Sequence, residues 1–271
     1  SDVYKRQVYN GAIAYTPDGN PIIGPAWDVP NFWLSEGHSF GVTAAGGAGW
    51  QLAEWIVEGE PTIDMLGVDP RRYGSYATES YLKVKNEEAY ENVFVIHYPD
   101  EERGAGRPLR TAPCYDRLKD LGAVFGQKFG WERANWFLPK TERDAGKTAA
   151  YEYSWGRQNW FEYARDEHLA VREKAGLFDL PTFGKIKVMG RDAEKVLQHL
   201  CANDVAVPQG RIVYTQMLND RGGIEADITV TRLSETEFLV ITPAATIRRD
   251  LGWIERHIPE NAHCMAVDVM A

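Results

Sequence analysis

The sequence predicts a mixed α and β chain, and three stretches carry that prediction. Between Pro208 and Leu233, two strand-like runs flank a turn-rich centre, Asn219-Asp220-Arg221-Gly222-Gly223. Glycine and Asn or Asp are the residues a hairpin needs where φ turns positive. Upstream, Ala193, Val196, Leu197, Leu200 and Cys201 recur at the i, i+3, i+4, i+7, i+8 spacing of an amphipathic helix. Near the N-terminus the apolar run Phe32-Trp33-Leu34 precedes the glycine-rich run Gly46-Gly47-Ala48-Gly49, and a second helical pattern follows it. With 271 residues the chain has material for one large or two ordinary domains.

In chain order, Thr16-Pro17-Asp18-Gly19 reads as a turn. Phe32 to Leu34 suits a short buried strand. Gly49, Leu52, Ala53, Ile56 and Val57 fall at helical spacing, and Gly59 with Pro61 stops that helix. A strand, a glycine-rich loop and a helix N-terminus in succession expose backbone N–H groups to an electron-rich ligand. The same glycines serve equally for tight helix packing. A helix-compatible stretch covers Ser80 to Glu91, and Asp100 to Pro108 reads as a loop. Tyr115-Asp116 opens a short helix, Lys140 to Lys147 lies in an exposed loop, and Glu167 to Glu173 forms a helix on which His168 serves packing. Phe183 to Met189 alternates as a strand with Ile186 and Val188 inward. Cys201 belongs to the core stripe, as a small hydrophobe and not a reactive thiol.

In the hairpin, Ile224, Ala226, Ile228 and Val230 alternate with Glu225, Asp227, Thr229 and Thr231. Period two places the first set inward and Asp227 outward, with Tyr214 on the preceding run beside Ile212 and Gln216. A carboxylate and an aromatic ring on one hairpin suit a flat heterocycle with a basic nitrogen. They suit an ordinary solvated strand face as well. Beyond it, Phe238 to Thr242 reads as a strand, and Ile247, Leu251, Ile254 and Ile258 mark a helix.

Composition narrows the class. Hydrophobic residues make up 44% and charged residues 25%, as in soluble globular proteins. A net charge of -9 argues against a nucleic-acid partner, which needs a concentrated basic surface. Cys114, Cys201 and Cys264 are odd in number and widely spaced, which suggests reduced thiols and neither a disulfide frame nor a metal site. No apolar run approaches the ~18 residues of a membrane span. Asp2-Val3-Tyr4-Lys5-Arg6-Gln7 looks like a translated sequencing adapter, so residues 1–7 are expected to be non-native and the chain a gene fragment cut at both ends.

The run VYTQMLNDRGGIEADITVTRL resembles the folate-binding hairpin of the glycine-cleavage T-protein (aminomethyltransferase) family. It is most similar to the copy fused behind the flavin domain in sarcosine and dimethylglycine dehydrogenases, and the VYTxML and RGGIExD wording leans towards sarcosine. PDGNPIIGP through GHSFGVTAAGGAGWQLAEWI is similar to the C-terminal end of glycine/sarcosine-oxidase-type FAD oxidoreductases. The resemblance implies three segments. Residues 8–66 would end an FAD-dependent oxidoreductase domain, 67–110 form a connecting domain, and 111–271 begin an aminomethyltransferase-like folate-binding domain. An insertion between Phe137 and Trp160 favours the fused architecture.

Roles follow residue by residue from that likeness. Asp227 would contact the pterin and assist chemistry at its reduced nitrogens, and Tyr214 would pack near the ring. Thr242 would line the folate cleft. Phe40, Gly41, Val42 and Thr43 would pass beside the isoalloxazine ring of FAD, where N–H donors stabilise charge on the reduced flavin. Many relatives carry a lysine where Thr43 stands, which leaves open how a substrate carboxylate is gripped. His38 would touch substrate or serve the fold. A GxGxxG fingerprint does not occur in this chain. The implied activity is oxidative demethylation of sarcosine or dimethylglycine with FAD, the one-carbon unit passing to tetrahydrofolate. The alternative is a folate-dependent aminomethyltransferase. The implied electron acceptor is oxygen or an electron-transfer flavoprotein, and the implied compartment the cytoplasm, or the mitochondrial matrix in a eukaryote.

Overall fold

A computed structural model describes residues 11–270, so the adapter-like segment lies outside the described residues. The chain divides into two compact units. The first runs up to Pro70 and takes in Ala77–Val95; the second holds Arg71–Tyr76 and everything from Ile96.

In the first unit, β1 (Ile22–Pro25) pairs antiparallel with β2 (Trp33–Glu36). Helix α1 (Gly41–Glu58) follows and ends where Gly59 takes the left-handed conformation. The helix begins earlier than its apolar spacing suggested, so Gly46, Gly47 and Gly49 lie inside it and do not form a loop ahead of it. Its inward face also differs: Ala48, Gln51 and Trp55 are buried, while Ile56 and Val57 are exposed. Trp55 sets this rotation. Its ring meets Trp33 edge-on at 6.0 Å, and Ile23, Ala48 and Met65 complete the small core around it. Helix α2 (Glu79–Glu91) is capped by the Thr78 side chain, which accepts from the backbone N–H of Tyr81.

The second unit opens with α3 (Tyr115–Asp120) and an unanticipated hairpin, β3 (Ala123–Lys128) with β4 (Trp131–Phe137). Arg107 grips Glu132 of β4 with two hydrogen bonds, at 2.9 and 2.6 Å, and so ties the preceding loop to the hairpin. The region expected as a plain loop contains the short helix α4 (Lys140–Asp144), closed by a Lys140–Asp144 ion pair. Helix α5 (Phe161–Glu173) has no buried residue, and His168 is exposed and does not pack. Tyr163 of the helix, with Trp160 just ahead of it, packs against the cluster of buried Trp136 and Leu138.

The main sheet combines β5 (Gly184–Met189), β6 (Ile212–Leu218), β7 (Ile224–Arg232), β8 (Glu237–Thr242) and β9 (Met265–Asp268). Its five strands run antiparallel in the order β6-β7-β8-β5-β9. Helices α6 (Ala193–Leu200) and α7 (Ile247–Arg256) cover one face. The predicted α6 stripe is buried throughout, against Ile186, Val188, Phe238 and Val240 of the sheet. Fully burying each such side chain contributes about 1.5–3 kcal/mol, which makes this face the stable centre of the unit. Burial also pushes the Cys201 thiol up to about 12, as its place in the core requires.

Candidate functional site

The turn of the β6–β7 hairpin is built around Asn219. Its Oδ1 accepts from the backbone N–H groups of Arg221 (3.1 Å) and Gly223 (2.8 Å), and its own N–H donates to Gly223 O at 3.0 Å. Gly222 has φ +78°, a conformation side chains resist. Past the turn the register shifts: Leu218 faces Ile224, whereas Met217 faces Ala226. Glu225 is the extra residue of this bulge. Ile224 is thereby turned out and is 68% exposed, contrary to the simple alternation read from the sequence.

Beyond the bulge the alternation holds. Asp227 stands opposite Gln216, whose Nε2 donates to Oδ1 at 3.1 Å. Tyr214 stands opposite Thr229, on the same uncovered face, and is 60% exposed. A hydrogen bond to the Asp227 carboxylate raises the Tyr214 pKa, so the phenol is held as a proton donor. Asn203 fixes the backbone below the ring, its Nδ2 donating to Tyr214 O at 3.2 Å. A carboxylate acceptor, a neutral phenol and an amide thus share one open patch. They can accept a hydrogen bond from a ring N–H, orient a flat ligand and stabilise positive charge on it.

Thr242 does not join them. β8 pairs Ile241 with Thr229, so period two turns Thr242 to the opposite, helix-covered face, where it is 1% exposed. Its hydroxyl, like that of Thr246 (2.6 Å), bonds Asp250 Oδ2. Asp250 is the buried acid that sequence reasoning missed. Burial raises its pKa, and Arg249 beside it at 3.2 Å opposes that rise. Arg249 also donates to Glu225 O, the carbonyl of the bulge two residues before Asp227. A signal was present: Asp250 lies three residues after Ile247 and four before Ile254, on the apolar stripe of α7.

The remaining candidates belong to the first unit and form a separate group. Phe40 precedes the first turn of α1, and its ring meets Phe94 edge-on at 6.5 Å. Gly41, Val42 and Thr43 form that turn, with Val42 fully exposed. The Nε2 atom of His38 lies 3.1 Å from Ser35 Oγ. Its Nδ1 is buried without a partner among the described residues. The first N–H groups of α1 suit a polar, electron-rich group such as the flavin ring edge, whereas His38 Nδ1 has no surface open to one.

Residues 114–271 match the family of GCVT N-terminal domains, and residues 58–112 match the FAD dependent oxidoreductase central domain. Mitochondrial dimethylglycine dehydrogenase of Mus musculus is 40% identical over 250 residues, covering 92% of this chain and 28% of that protein. The formaldehyde-forming 4-methylaminobutanoate oxidase of Paenarthrobacter nicotinovorans is 39% identical over 249 residues, 91% of this chain and 30% of its own. Mitochondrial sarcosine dehydrogenase of Homo sapiens is 37% identical over 246 residues, 83% of this chain and 27% of its own. The chain therefore spans under a third of the length of each of these relatives.

Proposed function

We propose a function from one premise: the chain belongs to the GCVT N-terminal domain family, which residues 114–271 match. The protein carrying it demethylates an N-methyl amine oxidatively and transfers the one-carbon unit to tetrahydrofolate. FAD bound to the complete protein would supply the hydride acceptor for the amine, and tetrahydrofolate, as the second substrate, would leave as 5,10-methylenetetrahydrofolate. The amine belongs to the class of N-methylated amino acids. This class is supported by the names of three relatives, which specify dimethylglycine, sarcosine and 4-methylaminobutanoate.

The observation that carries the reading is the Asp227–Tyr214–Gln216 patch on the uncovered sheet face. There Asp227 accepts an N–H from the pterin and stabilises positive charge as the new C–N bond forms. Tyr214 keeps its proton, orients that carboxylate and offers a ring for packing. In the first unit, the start of α1 at Phe40, Gly41, Val42 and Thr43, with His38 ahead of it, would hold the flavin. Residues 8–66, 67–110 and 111–271 make up the three functional segments. A second reading, an aminomethyltransferase without amine oxidation, is favoured by the placement of the patch wholly within the family match.

The test uses the complete reading frame that contains this chain. Sarcosine or dimethylglycine is supplied, and formaldehyde is quantified with and without tetrahydrofolate. Amine-dependent formaldehyde that falls when folate is added is the expected result, and Asp227→Asn should keep flavin reduction while abolishing that fall. Equal loss of both half-reactions in Asp227→Asn would sink the assignment of Asp227. Absence of flavin reduction by any N-methyl amine would leave the transferase reading. Hydrogen peroxide in the same assay separates oxygen from an electron-transfer flavoprotein as acceptor.

A further inference from the structure

A cavity of about 280 Å³ lies at the β9 end of the second unit, at the other edge of the sheet from the β6–β7 hairpin. Its walls come from residues 71–76, from Arg110 and the β3–β4 turn, and from the start of α7, with Asp268 at the end of β9. Four arginines, Arg71, Arg72, Arg110 and Arg248, and one acidic residue, Asp268, are among the lining residues. In a chain whose net charge is -9, such a concentration of guanidinium groups is unexpected from composition.

Arg110 is the fixed point of the cavity. Its backbone N–H donates to Gly130 O at 2.9 Å, and its carbonyl accepts from the N–H of Glu132 at 2.8 Å. Its guanidinium carbon lies 4.1 Å from the centroid of the Trp131 ring and 5.4 Å from that of Tyr76. Stacking on aromatic faces holds a guanidinium flat and leaves its in-plane N–H donors for a carboxylate or phosphate fork. Arg248 approaches from α7. A Cβ at Gly74 would meet its Nε at 3.1 Å and its Nη2 at 3.4 Å, so the glycine leaves room for this second guanidinium. Burial holds the Arg110 pKa below its ordinary value; Asp268 opposes the depression and Arg248 adds to it. An anion held between the two guanidinium groups offsets their mutual repulsion and the desolvation of Arg110.

We propose that this cavity binds a small oxyanion carrying two negative charges, of the phosphate or dicarboxylate class, gripped by Arg110 and Arg248. Asp268 opposes binding and limits the site to ligands that offer charge to both arginines. The site is independent of the Asp227 patch and does not rest on the proposed reaction.

Isothermal titration of the 271-residue chain with inorganic phosphate, and separately with malonate, tests this at constant ionic strength. Saturable one-site binding is expected from at least one of the two. Phosphate alone would assign a phosphate-bearing ligand, and malonate alone a dicarboxylate. Arg248→Gln should weaken binding on the order of tenfold, the scale of one charged hydrogen bond. Asp268→Asn should tighten it. Arg110→Gln should abolish it, but the stacked side chain also supports the wall, so the Arg248 and Asp268 variants decide the matter. No saturable heat with either anion overturns the site. So does an unchanged affinity in Arg248→Gln, or an Asp268→Asn variant that fails to bind more tightly while its unfolding midpoint is unaltered.

Discussion

Two aspartates of the second unit, one on a strand and one on a helix, are opposite in physics. Asp227 is exposed and shares its carboxylate with an amide and a phenol, which suits contact with a ligand. Asp250 is 1% exposed beneath Thr242 and Thr246, and burial raises its pKa above the ordinary 3.8. A carboxyl that binds its proton more tightly when folded adds stability that is fully present below the unfolded value. That stability is lost as pH rises through the folded value. Asp250→Asn removes the ionisation while keeping a side-chain oxygen for the two threonine hydroxyls. The wild-type urea midpoint should therefore decline relative to Asp250→Asn as pH is raised from about 4 to about 8. Parallel pH profiles for the two proteins would show that Arg249 fully compensates the buried charge.

At the scale of elements, the β6–β7 hairpin separates what the sequence discloses from what it hides. The turn residues and the period-two pattern suffice to place Asp227 and Tyr214 on one face. The bulge at Glu225 is hidden, because an extra residue in a register leaves the apolar alternation looking continuous through Ile224. Thr242 is expected at the folate cleft from the family resemblance alone, and the pairing of β8 with β7 turns it to the covered face instead. The α6 stripe, by contrast, was legible to the residue, since one helix face against one sheet face satisfies the local period. In α1 the period was right and the phase wrong, because the single large ring of Trp55 outweighs Ile56 and Val57. Half-buried Arg249, paired with buried Asp250, anchors the bulge through Glu225 O. Arg249→Ala strands a buried carboxylate and should cost about 3 kcal/mol or more in urea unfolding. Adding Asp250→Asn to that variant should recover part of the loss, a coupling that a double-mutant cycle reads directly. Additive losses would mean that Arg249 holds the bulge without help from Asp250.

Across the whole molecule, stability is distributed unequally between the two units. The core of the second contains Ile186, Leu197, Phe238, Val240 and Ile254, all shielded completely from solvent. The first unit is centred on Ile23, Ala48, Trp55 and Met65, and its helix α1 leaves Val42, Trp50 and Val57 in solvent. Gly46, Gly47 and Gly49 weaken that helix further. Each costs about 1 kcal/mol relative to alanine, and a Cβ at any of the three would meet nothing within 4 Å. Few buried apolar contacts and low helix propensity favour local opening well below the free energy of global unfolding. Amides in the middle of α1 should accordingly exchange with deuterium at least about a hundredfold faster than those of β5 and β8, a gap of roughly 3 kcal/mol in opening free energy. Mass-spectrometric exchange on the 271-residue chain measures both in one sample. Equal protection in α1 and β8 would mean that the units open as a single cooperative block. Rapid exchange confined to α1 would place the candidate flavin-facing segment on the labile unit and the Asp227 patch on the rigid one, the arrangement expected if the hairpin holds its geometry whatever α1 does.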